Sequence, residues 1–300
     1  MNEVINYIKE NNLGKVEENI SLSKLTTYKC GGTLRALIQP VDIESLIKVL
    51  KKIKELNIKH KILGMGSNVV FSNKDYEGII IKLTNFKKCL INEDIIECEA
   101  GHSLISLALK AADKGLTGLE FASGIPGSLG GAIFMNAGAY KSDMGYIVTK
   151  VKVLDENYNI IELSNKDMNF HYRTSYLKES PNLICLGVTI KLKKGDEKQI
   201  KELMKDRTQR RKESQPLDYP SAGSVFRNHD DIPAWRLIEN VGLKETSIGG
   251  AIISKKHANF ILNKGDATGE DIKALIELIK QKVYEEYNIN LILEQELVNF

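Results

Sequence analysis

The stretch GIPGSLGGAIFMNAG, residues 124–138, decides how this chain reads. It holds five glycines in fifteen residues, against 23 in the whole chain of 300. Without a Cβ, glycine reaches positive φ and lets a ligand come close to the main chain. Successive N–H groups in such turns form a nest that binds an anion, a diphosphate among them. A second glycine turn, GMGSN at 64–68, follows the apolar run HKIL. A Rossmann fingerprint would need glycine at position 69 and then a helix, but Val69, Val70 and Phe71 read as more strand. No Gly-Lys-Ser/Thr occurs, so there is no Walker loop either. Each turn alone reads as well as a bare turn as a cradle. Two of them in one β-rich half favour a diphosphate cofactor held on a less common framework.

Around these turns the first half alternates short strands and helices. Asp42 is placed to cap a helix to about residue 57, with Ile43, Leu46, Ile47, Leu50, Ile53 and Leu56 on one face. Apolar runs at 60–64, 79–83 and 95–100 read as strands, and Ser103 caps a helix to about Lys114. Residues 147–193 are mostly β: IVTKVKVLD, then NIIEL after an N-Y-N turn, then NLICLGVTIKL. Residues 196–213 change to a charged helix, which marks a domain boundary. Beyond it the pattern gives a short helix at 233–240 and strands at 249–253 and 259–262. Thr268 with Asp271 then opens a helix as a variant capping box, and a last strand covers 290–298. The chain reads as α+β in two parts.

Charge excludes whole classes of function. The 42 Lys and Arg and 39 Asp and Glu leave a net +3, too even for a nucleic-acid or membrane-surface protein. No run of eighteen apolar residues exists, and MNEVINYIKENN lacks the basic end and apolar core of a leader, so a cytoplasmic location is expected. Cys30, Cys89, Cys98 and Cys185 form no C-x-x-C, and the five histidines form no H-E-x-x-H and no i, i+4 pair. The cysteines read as reduced small hydrophobes, and no metal site is expected.

Other candidate chemistry is sparse. Ser224 lies in PSAGSVFRN, outside any G-x-S-x-G elbow, and by itself reads as a turn serine. Arg173, in HYRTSY, reads by itself as a surface arginine, and Glu294 and Glu296 share a strand face that solvent alone would explain. Seven basic and five acidic residues between Asp196 and Glu213 read as a solvated helix face, and only Arg210-Arg211-Lys212 is basic enough to meet a phosphate.

Taken together, these segments resemble the UDP-N-acetylenolpyruvoylglucosamine reductases, over nearly the whole chain from about Thr26 to Glu296. TTYKCGG at 26–32 resembles the family's T-T-x-x-x-G-G opening, and GMGSN its G-x-G-S-N turn. GIPGSLGGAIFMNAGAY resembles its longest signature, and FHYRTS carries its Tyr-Arg-x-Ser. QPLDYPSAGSVFRN at 215–228 is similar to its serine motif, and VGLKETSIGGAIISKKHANFILNKGDATGEDI to its C-terminal domain. Departures are Lys141, where glycine often follows the tyrosine, and Leu297 in place of a common valine. The stretch from Arg173 to Ser224 lacks a long insertion, as in the shorter type of the family.

The resemblance implies a flavoenzyme with an FAD-binding fold of the vanillyl-alcohol-oxidase/PCMH type, built of two β-rich subdomains, plus a C-terminal α+β substrate-binding domain. It implies boundaries at 1–195, with the subdomains split near 84, and at 196–300, with residues 290–300 returning toward the active site. FAD would be held without a covalent bond by Gly64, Gly66, Ser67 and Asn68 on one side and Gly124, Gly127, Gly130, Asn136 and Gly138 on the other. The implied reaction reduces the enolpyruvyl ether of UDP-N-acetylglucosamine to UDP-N-acetylmuramate for peptidoglycan precursors, with NADPH as reductant. Arg173 would hold the substrate carboxylate, Glu296 would polarise it or share its proton, and Ser224 would protonate the adjacent carbon. Tyr140, Lys212 and Asn228 would touch the UDP-sugar. The partners implied are small molecules, with no nucleic acid, membrane or obligate protein partner. Three rivals remain at this point: a related FAD-dependent oxidoreductase of another substrate, a serine hydrolase around Ser224, and a nucleotide-sugar sensor.

Overall fold

Two hydrophobic cores organise the computed structural model, which describes residues 1–180, 182–230 and 232–300. They belong to two compact units, each assembled from separate stretches of chain. One unit comprises Met1–Glu17, Ala36–Gly64 and Gly78–Arg211, and the other Glu18–Arg35, Met65–Glu77 and Lys212–Phe300.

In the first unit, helix α1 (Asn2–Glu10) buries Val4, Ile5 and Ile8, one stripe at helical spacing that the reading of this segment did not anticipate. Helix α2 (Ile43–Glu55) starts where the Asp42 carboxylate accepts the Ser45 N–H at 2.8 Å, and it buries Leu46, Val49, Leu50 and Ile53. Strands β1 (Gly14–Ser21), β2 (Thr33–Pro40), β5 (Tyr76–Ile81) and β3 (His60–Ile62) form a sheet in the order β1-β2-β5-β3. Strands β1, β2 and β5 each run on from one unit into the other. A second sheet has the order β12-β11-β13-β7-β6 and antiparallel pairing throughout. Its strands are β6 (Cys89–Asn92), β7 (Ile95–Glu99), β11 (Val148–Leu154), β12 (Ile160–Ser164) and β13 (Ile184–Lys191).

Short elements decorate that sheet. Helix α3 (Leu104–Ala112) is capped by Ser103 and helix α4 (Leu129–Phe134) by Ser128, each through its hydroxyl oxygen. Strand β8 (Leu116–Thr117) pairs with β14 (Lys193–Lys194), and β9 (Gly138–Ala139) with β10 (Ser142–Asp143). Helix α5 (Tyr176–Glu179) lies between β12 and β13. Helix α6 (Glu197–Ser214) buries only Ile200 and Met204, both in the first core, so residues 196–211 pack with the N-terminal half of the chain.

In the second unit, β4 (Val69–Phe71) pairs in parallel with β18 (Glu296–Val298), Glu296 opposite Val69. The terminal strand is thus shorter than the expected 290–298. Its partner is only three residues long, and residues 292–294 bond instead to the loop around Ser224. Helix α7 (Ala234–Asn240) and a sheet of β15 (Ser247–Ile248), β16 (Ala251–Ile253) and β17 (Ile261–Asn263) precede α8 (Gly269–Tyr287). Thr268 and Asp271 close the expected capping box, with bonds of 3.0 and 2.9 Å. Among the described residues, no helix is long and apolar enough to cross a membrane.

Candidate functional site

The start of the first glycine turn lies against the second: a Cβ on Gly64 would fall 2.6 Å from the Ser128 Oγ and force that hydroxyl, which caps α4, to move. A Cβ on Gly130 would come within 3.0 Å of the Ala100 Cβ, and one on Gly138 would strike the Ser142 carbonyl. Gly66, at φ +69°, would drive a Cβ into the Leu25 carbonyl. The sequence suggests glycine for the approach of a ligand, but at these positions the close neighbour is the chain itself. Positive φ, expected of the cradle, occurs among its glycines at Gly66 only. Helix α4 does not offer its N-terminus either. Leu129 N–H donates to His102 O and Gly130 N–H to Ala100 O, both at 2.8 Å, and Gly131 N–H to Ser128 Oγ at 3.3 Å. Neither 64–68 nor 124–131 carries a carboxylate that would repel a diphosphate.

Arg173 occupies a strained hairpin tip. It sits at φ +56°, between His171 and Thr174, which exchange backbone bonds of 3.0 and 3.1 Å. A non-glycine residue in the left-handed region costs about 1–2 kcal/mol, and such strain collects at functional sites. The Arg173 Nη2 donates to the Gly138 carbonyl at 2.8 Å. Asn136, only 1% exposed, braces this arrangement. Its amide nitrogen donates to His171 O and its oxygen accepts the Gly145 N–H, both at 2.9 Å. The amide expected to bind cofactor is therefore committed to the backbone of His171, in the Arg173 hairpin, and of Gly145. Burial pushes the Asp143 carboxyl up, opposed by the Gly145 N–H, the Asn136 amide and the Arg173 charge.

Tyr140 lies in the β9–β10 hairpin, where it and Lys141 stand at φ +55° and +60°. A two-residue turn of this kind favours Asn and Gly, so these two side chains occupy costly positions. The Tyr140 hydroxyl donates to Arg207 O at 2.7 Å, and the Arg207 guanidinium lies 5.0 Å from its ring centre. One turn on, the Arg211 side chain packs on Gly124, where a Cβ would fall 3.1 Å from its Cδ. Burial lowers the Arg211 pKa, with Tyr140 acting in the opposite sense. Of the basic trio, Arg210 pairs with Asp206 at 2.8 Å, and Lys212 is exposed, with its carbonyl accepting from Lys256 Nζ. Arg211 is thus the one set against the glycine turn. The Arg210-Arg211-Lys212 run signalled it, but spacing could not choose among the three.

The second unit holds Ser224 and Glu296. Ser224 is partly exposed and follows Gly223, at φ +74°. Its loop is clamped from two sides. Gln295 Nε2 donates to Ala222 O and Gly223 O, each at 3.2 Å, while Asn259 accepts from Phe226 N at 2.9 Å and donates to Phe226 O at 2.8 Å. Glu294 N–H reaches Val225 O at 2.8 Å, so the segment that ends in exposed Glu296 is fastened to the serine loop. Asn68 ties in the glycine turn through its amide to Glu294 O at 3.0 Å and its carbonyl to Glu296 N–H at 2.9 Å. Burial, followed by the Glu296 charge, raises the pKa of the Tyr76 phenol. Gln295, Asn259 and Tyr76 carry no motif signal. Asn228 accepts the Ala234 N–H at 3.1 Å and so braces the start of α7.

One further grouping escaped the sequence. Cys89 and Cys98 face each other across the β6–β7 hairpin, and His102 follows four residues later. One ligand atom from each lies within 4.8 Å of the others. Only a strand pairing, not a linear motif, brings them together. Burial first, then Cys89, pushes the Cys98 thiol above the usual thiol range.

With this geometry in place, the comparisons are specific. Residues 34–164 match the family model of an FAD binding domain, so the N-terminal part is a flavin-binding fold of the expected class. Residues 215–298 match the C-terminal domain of UDP-N-acetylenolpyruvoylglucosamine reductase. The UDP-N-acetylenolpyruvoylglucosamine reductase of Caldanaerobacter subterraneus subsp. tengcongensis is 45% identical over 285 residues, 95% of this chain and 94% of that one. That of Anoxybacillus flavithermus is 42% identical over 288 residues, 96% and 95% of the two chains. The crystal structure of the Thermus caldophilus enzyme gives a TM-score of 0.81 at 32% identity, covering 95% of this chain and 99% of that one. The chain belongs to the UDP-N-acetylenolpyruvoylglucosamine reductase family. It is an FAD-containing oxidoreductase.

Proposed function

We propose that the chain reduces the enolpyruvyl ether of UDP-N-acetylglucosamine to UDP-N-acetylmuramate, a step of peptidoglycan precursor synthesis, using NADPH. FAD, when bound, would supply the hydride-transfer chemistry that no side chain provides. Gly64, Gly66, Ser67 and Asn68, together with Gly124, Gly127, Gly130 and Gly138, would hold the FAD, with Asn136 bracing the hairpin that carries Arg173. As hydride arrives, negative charge builds toward the substrate carboxylate. Arg173 binds that carboxylate with its fixed fork of donors, and Glu296 polarises it or shares its proton. Ser224 protonates the neighbouring carbon. A serine hydroxyl is a weak acid, so this needs a closely held, strongly basic acceptor. Tyr140, Lys212 and Asn228 contact the UDP-sugar, joined by Arg211 as the cation set against the 124–131 turn.

The observation that carries the residue roles is the coincidence of motif with constraint. Arg173 is held at φ +56° on a braced hairpin tip, and Ser224 lies in a loop bolted by Gln295 next to Glu296. The same reading divides function at about residue 195, FAD before it and substrate after it. It places the enzyme in the cytoplasm, acting on small molecules without nucleic acid, membrane or obligate protein partner. The test is NADPH oxidation by the purified FAD enzyme with and without the enolpyruvyl sugar, with the product weighed by mass spectrometry. Oxidation that depends on the sugar, and a product heavier by two hydrogens, are expected. Oxidation indifferent to the sugar would overturn the reading.

A further inference from the structure

Cys89, Cys98 and His102 make up a donor set that the flavin chemistry does not use. The two cysteines are paired residues of an antiparallel hairpin, so the backbone itself holds their side chains on one face. Cys98 and His102 are buried, at 4% and 6% exposure, and Cys89 is half-buried, which leaves the cluster one route to water. The donor atoms lie within 4.8 Å of one another. A tetrahedral ion with metal–sulfur bonds of about 2.3 Å and metal–nitrogen bonds of about 2.0–2.1 Å needs them about 3.6–3.8 Å apart. The cluster therefore has to close by about 1 Å, within reach of small side-chain rotations.

The imidazole is already oriented. His102 Nδ1 lies 2.9 Å from Ser103 O, a carbonyl that can only accept, so Nδ1 carries the proton and Nε2 keeps its lone pair. Metal-bound histidines are fixed by this kind of outer bond. At present the lone pair faces an ammonium, with Lys110 Nζ 3.1 Å from Nε2. A cation is thus already accommodated beside the imidazole, and it belongs to an exposed side chain that is able to swing into solvent. Two sulfurs and one nitrogen favour a soft or borderline ion over magnesium or calcium.

We propose that Cys89, Cys98 and His102 bind one zinc ion, with Lys110 as its competitor and water in the fourth position on the half-buried Cys89 side. The ion would fasten the β6–β7 hairpin to the turn before α3. That turn supports the second glycine loop, since Ala100 O and His102 O accept the Gly130 and Leu129 N–H groups and Gly127 O accepts that of Leu104. The inference needs only the hairpin geometry and stands apart from the proposed reaction.

The test uses FAD-loaded protein, chelator-stripped and with thiols fully reduced, titrated with Zn²⁺ against a chromophoric chelator. Co²⁺ serves as a second probe, read at wavelengths beyond the flavin bands. One ion per chain and a tetrahedral thiolate cobalt spectrum are expected. Cys98→Ser, and separately the more exposed Cys89→Ser, should each weaken binding by about a hundredfold or more. Cys30→Ser, in the other core, should leave it unchanged. Lys110→Met should tighten it several-fold, a gain that damage to the fold would not produce. Flavin content and metal-free melting temperature check that each variant is folded. Substoichiometric zinc, an octahedral cobalt spectrum, or Cys89→Ser and Cys98→Ser variants that bind like the parent would overturn the proposal.

Discussion

Arg173 shows how little a residue's sequence context says about its constraint. HYRTSY gives no hint of a left-handed backbone at its third position, and a bottom-up reading leaves Arg173 as readily on the surface. The family motif singled it out. The structure adds its φ of +56°, the bond to Gly138 O and the brace from Asn136. Because the guanidinium acts as a planar fork, Arg173→Lys keeps the charge and loses the geometry. Substrate-driven flavin reoxidation should fall by about 10²–10³-fold, the scale of a lost oxyanion donor, with NADPH-driven reduction little changed. Stopped-flow absorbance of each half-reaction checks this. Asn136→Ala is a different experiment, since it removes the buried amide that ties His171 O to the Gly145 N–H. A loss of about 1–3 kcal/mol is expected for the two bonds, visible as a lower melting temperature. No sequence signal separates this structural asparagine from a cofactor ligand, because both roles call for a buried amide.

At the scale of elements, the sequence was most legible where local chemistry decides the outcome. Asp42, Ser103 and Thr268 all cap the helices they were read to cap, because a cap depends on one side chain and three following N–H groups. Helix α1 was not anticipated, and the terminal strand was read too long, 290–298 against Glu296–Val298, since its extent depends on a partner distant in sequence. The cap at Asp42 makes a pH prediction. Hydrogen bonds from Ser45 hold its carboxyl below the usual range, so its contribution is present above the unfolded pKa of about 3.9 and is lost as pH falls through the lower folded value. Asp42→Ala should cost about 1 kcal/mol near neutrality, and the gap should close below about pH 4 in thermal melts. Gly249 is a sharper case. It stands at φ +52°, and a Cβ there would fall 2.5 Å from the Asp271 carboxyl carbon that completes the α8 capping box. Gly249→Ala should therefore destabilise by more than the 1–2 kcal/mol of backbone strain alone, measured by denaturant unfolding.

At the scale of the whole molecule, the glycine turns identified the class of protein for a partly different reason from the one the sequence suggests. They were read as room for a ligand, yet Gly64, Gly66, Gly130 and Gly138 are glycine because the chain's own atoms approach them. The inference to a flavin fold stands because residues 34–164, which hold both turns, match an FAD binding domain. The interleaving of the two units was not legible, since it follows from three strands that run through both. The central claim is that hydride arrives by way of FAD while Ser224 supplies only the proton. Stopped-flow kinetics of Ser224→Ala, with flavin absorbance followed first against NADPH and then against the enolpyruvyl sugar, tests that division most directly. The account predicts near-normal reduction and reoxidation slowed by several orders of magnitude, about the 10²–10⁴-fold of a lost positioned acid or more. Equal slowing of both half-reactions, or reoxidation at the parental rate, would contradict it.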